Sequence, residues 1–385
     1  MASAKKKIGI GLLGGGFMAK AHSNAYRTIP YIYCGGGYEP KLVALGAATL
    51  EEAEQACGRY GYEKAVQGYE AVLDDPEVDL VDICVSDALH APIALAALAR
   101  GKHVLCEKPL ALSSQDALRM RDAAAASGRL AMAGFNYRFV SAVTLAKRLI
   151  ESGVMGRVYH FHGDYSQDVG AYEDTPVEKL WYAFGPKSSG VALGTGSHLI
   201  DMARFLVGEI SEVGGLLPTY TPLRQSAGGP VPVTKDEDML CVARFENGAA
   251  GMLRASAISA GRKNSLRWEI SCSKGSLAFD LENINYLDVF HKDSPVKEVT
   301  GFTHVNVTQV DRDHPFMDVW WPRGHGVGWE HAHINEIAHL LDCITQGKPL
   351  APMGATFEDG YRACKIIDTL RESSEGGHFR PVLYQ

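Results

Sequence analysis

The feature that most constrains the fold is a glycine-rich turn between an apolar segment and a helix near the N-terminus. Residues 7–13 are strand-like and apolar, three glycines follow at once, and a helical segment begins at Phe17. In the pattern Gly14-x-Gly16-x-x-Ala19, the first glycine permits a tight turn, the second lets a pyrophosphate approach the backbone, and the small third residue lets helix pack on strand. The context predicts a dinucleotide site at the N-terminus of this helix, although a glycine-rich turn can also be purely structural.

Strand-like and helical segments alternate over the first third of the chain. We expect strands near 7–13, 41–46, 78–85, 103–106 and 130–135, with helices near 50–60, 92–100 and 114–127. This alternation indicates a doubly wound parallel sheet, which makes residues 1–135 an α/β Rossmann domain.

The pattern changes near residue 136, where longer β segments with alternating polarity begin to dominate. They lie near 158–165, 238–245, 249–257, 266–271 and 276–280. One helix is expected at 142–151, closing helices between 330 and 373, and a surface loop at 212–236. Residues 136–385 are therefore predicted to form an α+β domain with an open, mainly antiparallel sheet.

Composition excludes several classes of protein. The chain of 385 residues carries 38 Lys and Arg against 45 Asp and Glu, a net charge of -7, and its longest basic run is residues 5–7. That balance argues against nucleic acid as a partner, and without an apolar run of about 18 residues we expect no membrane partner. The eight cysteines form no C-x-x-C pair and the N-terminus lacks a signal-peptide pattern, so a cytoplasmic protein with reduced thiols is expected.

The second strand bears on the choice between NAD and NADP. An acidic residue that would bind the adenosine ribose is missing after Leu45, where Gly46-Ala47-Ala48-Thr49 follow. No Arg or Lys stands there to bind a 2′-phosphate either. NAD is therefore the expected cofactor, and NADP is the less favoured one.

The motif Glu107-Lys108-Pro109 follows the fourth strand-like segment, at the sheet edge where open α/β folds bind ligands. A lysine beside a cationic nicotinamide could hydrogen-bond or deprotonate a substrate hydroxyl, a contribution of roughly 10²–10⁴ to the rate. Taken alone, Lys108 could equally be a solvated surface lysine.

Together these residues resemble the Gfo/Idh/MocA oxidoreductase family. The motifs that carry the resemblance run in order along the chain: Gly14-x-Gly16-x-x-Ala19, Asp79-x-Val81-Asp82-Ile83, His90, Gly101-Lys102-His103-Val104-x-Cys106-Glu107-Lys108-Pro109, Gly134-Phe135-Asn136-Tyr137-Arg138-Phe139, Gly196-Ser197-His198-Leu199-Ile200-Asp201 and Asp359-Gly360. Within the family, the opening segment and the late Trp320-Trp321-Pro322 are most similar to the branch of levoglucosan dehydrogenase and glucoside 3-dehydrogenases.

The resemblance implies a homo-oligomeric NAD-dependent sugar oxidoreductase that associates through its C-terminal sheet. It assigns proton transfer to Lys108 and His198, with Asp201, Tyr137 and Arg138 in support, and a cis Lys108-Pro109 peptide. The cofactor-binding residues it implies are Gly14, Gly16, Phe17, Met18, Ala19, Ala47, Ser86, His90, Glu107, Lys108, Asn136 and Arg138.

One position departs from the family pattern. Many family dehydrogenases carry an aspartate four residues before the histidine, where this chain has Gly194. Three hypotheses stay open: a dehydrogenase acting at C3 of a pyranose, an NAD-dependent glycoside hydrolase that oxidises, eliminates, adds water and reduces again, and a nucleotide sensor without catalysis. Intact Lys108 and His198 argue against the sensor.

Aromatic and basic side chains in the second domain suggest a sugar-binding wall, because aromatic faces stack on pyranoses. The predicted substrate-binding residues are Tyr137, Tyr165, Gln167, Asp168, Trp181, Lys187, His198, Trp321 and Arg323. Their basic surplus suggests an anionic sugar such as a sulfosugar glycoside, although ordinary surface charge explains it equally well. The pairs His160-x-His162 and His331-x-His333 lack further ligands at a suitable spacing, so no metal is expected.

Overall fold

The computed structural model describes residues 5–180, 188–294, 296, 298 and 300–385. Contacts within the chain define two compact units, each built from two segments: Met1–Phe139 with Gly328–Tyr361, and Val140–Val327 with Arg362–Gln385. This division is discontinuous, unlike the continuous one predicted at residue 135, because a late helix packs on the first helix.

The first unit is a six-stranded parallel sheet flanked by helices. Its elements are β1 (Lys6–Leu13), α1 (Phe17–Ile32), β2 (Tyr38–Ala47), α2 (Leu50–Tyr60), β3 (Lys64–Gln67), α3 (Glu70–Asp74), β4 (Leu80–Ile83), α4 (His90–Ala99), β5 (His103–Glu107), α5 (Ser114–Ser127), β6 (Ala131–Gly134) and, from the later segment, α9 (Trp329–Gln346). The strand order β3-β2-β1-β4-β5-β6 reverses beside β1. Such a reversal is where doubly wound sheets bind ligands, at the carboxyl ends of the strands. The predicted Rossmann fold is confirmed.

The second unit contains a nine-stranded mixed sheet. Its elements are α6 (Ser141–Glu151), β7 (Val158–Ser166), α7 (Gly190–Gly194), α8 (Gly196–Val207), β8 (Ile210–Leu216), β9 (Leu223–Arg224), β10 (Val231–Pro232), β11 (Asp238–Phe245), β12 (Ala250–Ser256), β13 (Ser265–Cys272), β14 (Gly275–Asp280), β15 (Tyr286–His291), β16 (Thr303–Asn306), α10 (Phe357–Gly376), whose residues up to Tyr361 belong to the first unit, and β17 (Arg380–Pro381). The large sheet has the order β16-β15-β14-β13-β7-β12-β11-β8-β17. Its pairs are antiparallel except β7 with β12, which confirms the predicted α+β class.

The surface loop predicted at 212–236 is wrong for its first five residues. Residues up to Leu216 belong to β8, which pairs with β11. Gly214 and Gly215 suggested a loop. Gly215 is instead required by the packing of the strands, because a Cβ there would lie 1.9 Å from the carbonyl oxygen of Leu240.

All eight cysteines lie in the described part of the chain as thiols rather than disulfides, and six of them are buried. Among the described helices, none is long and apolar enough to cross a membrane.

Candidate active site

The glycine-rich turn joins β1 to α1 and has the geometry that a pyrophosphate requires. Gly14 has φ +108, and its N–H donates to Gly46 at 2.8 Å. A Cβ at Gly16 would meet no atom within 4 Å, so the backbone at the start of α1 is open to a ligand. Ala19 is fully buried against the sheet. The unpaired N–H groups of the first helical turn favour an anion, and the site therefore fits the diphosphate of NAD.

Phe17, the first residue of α1, is 68% exposed and stacks on Trp329 with ring centroids 5.3 Å apart. Met18 beside it is half-buried. Trp329 is an aromatic neighbour of this turn that sequence reasoning missed, because it lies over 300 residues away in the chain.

The loop after β2 offers no cation to a 2′-phosphate. Ala47 ends the strand, and Thr49 caps α2 through a reciprocal pair of hydrogen bonds with Glu52. Glu51 and Glu52 place two carboxylates in the first turn of α2. Their negative charge disfavours a 2′-phosphate beside the first turn of α2.

The Glu-Lys-Pro motif sits at the carboxyl end of β5. The Lys108-Pro109 peptide is cis, as predicted. Glu107 is 4% exposed, and its Oε2 accepts the backbone N–H of Lys108 at 3.1 Å. The buried His90 ring connects the loops after β4 and β5. Its Nδ1 lies 2.8 Å from the carbonyl oxygen of Pro109, and its Nε2 lies 3.2 Å from that of Val85. Ser86 precedes a short 3₁₀ turn at the end of β4.

A buried ionic network lies beneath this motif, and sequence reasoning missed it. His22 of α1 is fully buried, with Nδ1 3.0 and 2.9 Å from the two carboxylate oxygens of Asp82. Its Nε2 lies 3.2 Å from Oε1 of Glu107. Burial opposes the charged form, but the charge and hydrogen bonds of Asp82 and Cys84 raise the pKa of His22 well above its ordinary value. A charged residue such as Asp82 inside an apolar strand was the available sequence signal.

The turn Asn136–Phe139 follows β6 and is buried throughout. Among the described residues, the amide nitrogen of Asn136 has no hydrogen-bond partner although it is buried, which leaves a donor for a ligand. Arg138 instead pairs with Asp359 at 3.1 Å. Tyr137 is 4% exposed.

In the second unit, His198 and Asp201 lie one turn apart on α8 and are both buried. The Tyr165 ring of β7 lies 6.0 Å from the His198 ring. The Tyr165 hydroxyl donates to Asn264 Oδ1 at 2.7 Å, and Gln167 Nε2 donates to the same oxygen at 3.0 Å. The structure thus brings Tyr165 and Gln167 together on Asn264, which the sequence did not single out, and places His198 beside Tyr165.

The remaining predicted wall residues are more exposed. Asp168 pairs with Lys263 at 2.5 Å, which holds the pKa of this carboxyl below its usual range. Trp321 is 45% exposed and its ring lies 6.1 Å from that of Trp320. Arg323 lies 3.6 Å from Asp311. Trp181 and Lys187 lie outside the described residues.

The histidine pairs differ in their surroundings. His160 and His162 are exposed on β7. His333 is buried, and a nitrogen of its ring lies within 4.8 Å of ligand atoms of His22 and Glu107, a spacing that a metal could also use. Burial lowers the pKa of His333 to about 3, aided by charge on His22 and Lys108.

The comparisons with known proteins agree with this geometry. Residues 8–135 match the model of an oxidoreductase family with an NAD-binding Rossmann fold, and residues 143–278 match the GFO/IDH/MocA C-terminal domain. The chain belongs to the Gfo/Idh/MocA family. It is therefore an NAD-dependent oxidoreductase, which confirms the predicted enzyme class and cofactor.

Its relatives in this family include sugar and inositol dehydrogenases. Levoglucosan dehydrogenase of Pseudarthrobacter phenanthrenivorans is 36% identical over 386 residues, 96% of each chain. Inositol 2-dehydrogenase 2 of Saccharopolyspora erythraea is 27% identical over 97% of this chain and 95% of its own. A solved levoglucosan dehydrogenase in complex with NADH and L-sorbose has a TM-score of 0.94 at 35% identity, covering 99% of this chain and all of the other.

Proposed function

We propose that the protein oxidises a secondary hydroxyl of a pyranose or glycoside, at C3, and transfers the hydride to NAD. The observation that carries the proposal is Lys108 at the carboxyl end of β5, where its backbone N–H is bound by buried Glu107. The similarity to levoglucosan dehydrogenase over nearly the whole chain supports the sugar substrate.

In the proposed reaction a secondary alcohol becomes a ketone. The C–H bond breaks and its hydrogen leaves with both electrons as hydride, which NAD accepts. The hydroxyl proton passes to Lys108 or His198, and general-base assistance of this kind contributes roughly 10²–10⁴ to the rate. Asp201 and Tyr137 support the proton transfer, and both side chains are buried.

The cofactor is proposed to bind along the carboxyl edge of the first unit's sheet. Gly14, Gly16 and the N-terminus of α1 receive the diphosphate, for which the open space at Gly16 is the support. The other proposed contacts are Phe17, Met18, Ala19, Ala47, Ser86, His90, Glu107, Asn136 and Arg138. The unpaired amide nitrogen of Asn136 supports its place in this set.

For the sugar, we propose contacts with Tyr165, Gln167 and Asp168, which lie at the end of β7 or just beyond it. Trp321 and Arg323 are proposed as a second group, since both side chains are accessible. A preference for anionic glycosides would rest on Arg323 and Lys187. It predicts that Arg323→Ala weakens binding of anionic glycosides more than neutral ones.

The test follows absorbance at 340 nm and released aglycone together, with NAD and a panel of neutral and anionic aryl glycosides. Stoichiometric NADH without aglycone supports the dehydrogenase. Lys108→Met should abolish turnover and leave NADH affinity nearly unchanged, whereas Lys348→Met, on the surface of the same unit, should match the wild type. Turnover retained in Lys108→Met would contradict the proposal.

A redox-neutral glycosidase is the second candidate, favoured by Gly194 in place of the family's aspartate. Oxidation at C3 acidifies the proton at C2, the aglycone is eliminated, water adds, and the hydride returns. Aglycone release with catalytic NAD and no net NADH would establish this alternative.

We also propose a homo-oligomer that forms through the nine-stranded sheet. Val242 of β11 and Met252 of β12 are cross-strand partners and are 47% and 54% exposed. Two adjacent apolar side chains in water favour association with a second copy.

A further inference from the structure

His22 joins two buried carboxylates from neighbouring strands of the first unit. Asp82 of β4 lies 2.9 Å from its Nδ1, and Glu107 of β5 lies 3.2 Å from its Nε2. Tyr26 donates its hydroxyl to the same Asp82 at 2.9 Å. The exposed fractions of His22, Asp82 and Glu107 are 0%, 0% and 4%, so the ionic contacts form in a medium of low dielectric constant.

The surroundings of His22 favour its cationic form. Its Nδ1 is hydrogen-bonded to Asp82, and its Nε2 lies at an ion-pair distance of 3.2 Å from Oε1 of Glu107, without the geometry of a hydrogen bond. Two buried carboxylates beside one imidazole stabilise its charged form. The other titratable groups near the ring are Tyr26 on its own helix, Tyr62 after α2, Cys84 after β4, and His333 on α9. His333, whose pKa is about 3, is neutral and adds no competing positive charge.

Glu107 connects His22 to Lys108, the next residue of the Glu-Lys-Pro motif. One of its oxygens faces His22 and the other accepts the backbone N–H of Lys108 at 3.1 Å. Although burial raises the pKa of Glu107, the positive charges of His22 and Lys108 lower it to about 2, so the side chain is a carboxylate at neutral pH.

We propose that His22 is a positioning residue for Lys108, acting through the Glu107 carboxylate that it holds in its ionised form and fixed orientation. The inference rests on the proposed role of Lys108. A misplacement of about 1 Å at a reacting group can cost roughly 10²-fold in rate, so the effect should appear in kcat.

Removing the cation changes the ionisation of Glu107 in a defined direction. Without His22, burial dominates and moves the pKa of Glu107 upward, toward the pH range of the assay. Below that new pKa, the protonated acid is a weaker acceptor for the Lys108 N–H. The ratio of variant to wild-type kcat should therefore fall as the pH is lowered.

The experiment compares His22→Gln with His103→Gln in steady-state assays from pH 6 to 9, together with NADH titrations and melting curves. His103 is the control because it begins β5, the strand that ends at Glu107. Its ring accepts a hydrogen bond from the backbone N–H of Leu130 at 3.0 Å. We expect kcat of His22→Gln to fall roughly 10- to 100-fold, more at low pH, with a smaller change in NADH affinity. The control should retain wild-type kcat at every pH.

A double variant tests the route through Glu107. In a Glu107→Gln background there is no carboxylate to ionise, so adding His22→Gln should leave the pH dependence of kcat unchanged. If His22→Gln does not fold, Asp82→Asn supplies the test. Without the Asp82 carboxylate the pKa of His22 falls and the ring becomes neutral, so the ratio of variant to wild-type kcat should again fall as the pH is lowered.

A kcat ratio that stays constant with pH would overturn the inference, since it would indicate packing alone. A stoichiometric metal ion in the purified enzyme, lost in His22→Gln, would also overturn it, because Nε2 would then be a ligand. Turnover retained in Lys108→Met would contradict the proposed function instead. The proposed function and the proposed role of His22 are therefore tested by different variants.

Discussion

The carbonyl oxygen of Cys84 stands 2.3 Å from the position that a Cβ on Gly14 would occupy. Since Gly14 also has φ +108, a side chain there is strained as well as crowded. Gly16, two residues later, has open space and an ordinary φ of -82. The two glycines of one motif therefore serve different needs.

Gly14→Ala and Gly16→Ala should separate these needs. We expect Gly14→Ala to lower the free energy of unfolding by about 1–3 kcal/mol, which is the scale of a strained backbone position. Gly16→Ala should keep the wild-type Tm and weaken NADH binding about tenfold, or 1.4 kcal/mol, because its methyl group occupies the approach of the diphosphate. Melting curves and fluorescence titration measure both. Equal Tm losses in the two variants would contradict the assignment.

Tyr165→Phe tests the cluster around Asn264. Removing the hydroxyl that donates to Asn264 at 2.7 Å leaves an acceptor short of one partner. Because Gln167 still donates to this oxygen, only one hydrogen bond that orients the proposed sugar site is lost, and its worth of about 0.5–1.5 kcal/mol corresponds to a roughly 2- to 13-fold fall in kcat/KM for the sugar. Tyr159→Phe, on the same strand but 45% exposed, is the matched control. A sugar kcat/KM unchanged in Tyr165→Phe would remove this cluster from the substrate site.

Local signals explain which helices could be predicted closely. The expected helix at 50–60 matches α2, which begins after the Thr49 cap and ends at Gly61 in the left-handed conformation. The helix expected at 114–127 matches α5, with Ser113 as its cap and Gly128 as its end. These boundaries depend on capping residues next to the helix ends, so they can be predicted from the local sequence.

The unpredicted features depend on residues far apart in the chain. His22 and Asp82 are separated by 60 positions, and only the packing of α1 on the sheet brings them together. Trp329 reaches Phe17 because α9 joins the first unit. Neither pairing leaves a spacing pattern in the sequence, which shows only that polar residues occur in apolar segments.

Oligomerisation through the sheet can be tested by charge. Val242→Lys and Met252→Lys place ammonium groups on neighbouring, exposed positions of β11 and β12. If this face binds a second copy, burying those charges is costly and the particle mass in light scattering should fall. Val154→Lys, an exposed change outside the sheet, should keep the wild-type mass. An unchanged mass in both sheet variants would place the interface elsewhere.

Arg224 and Glu237 form an ion pair that is fully buried in the second unit, with Nη2 and Oε1 2.9 Å apart. The other carboxylate oxygen accepts the N–H groups of Tyr220 and Thr221, each at 2.7 Å. Arg224→Met strands a buried carboxylate and should cost about 3–5 kcal/mol in urea unfolding. Adding Glu237→Gln should recover part of this loss, whereas additive losses would mean that the pair is not coupled.

His333 should make the first unit sensitive to acid. Its pKa is lowered to about 3 in the folded protein by burial, against about 6.5 in an unfolded chain. Between those values the unfolded state binds a proton that the folded state does not, so the free energy of unfolding falls as the pH decreases. One such group contributes at most about 1.4 kcal/mol per pH unit.

Urea unfolding of wild type and His333→Gln between pH 4 and 7 measures this contribution. We expect the slope of the unfolding free energy against pH to be smaller in the variant by up to about 1.4 kcal/mol per unit. His325→Gln, which replaces an exposed histidine, should keep the wild-type slope. Parallel curves for wild type and His333→Gln would show that His333 takes up its proton equally in both states, and the buried neutral ring would then need another explanation.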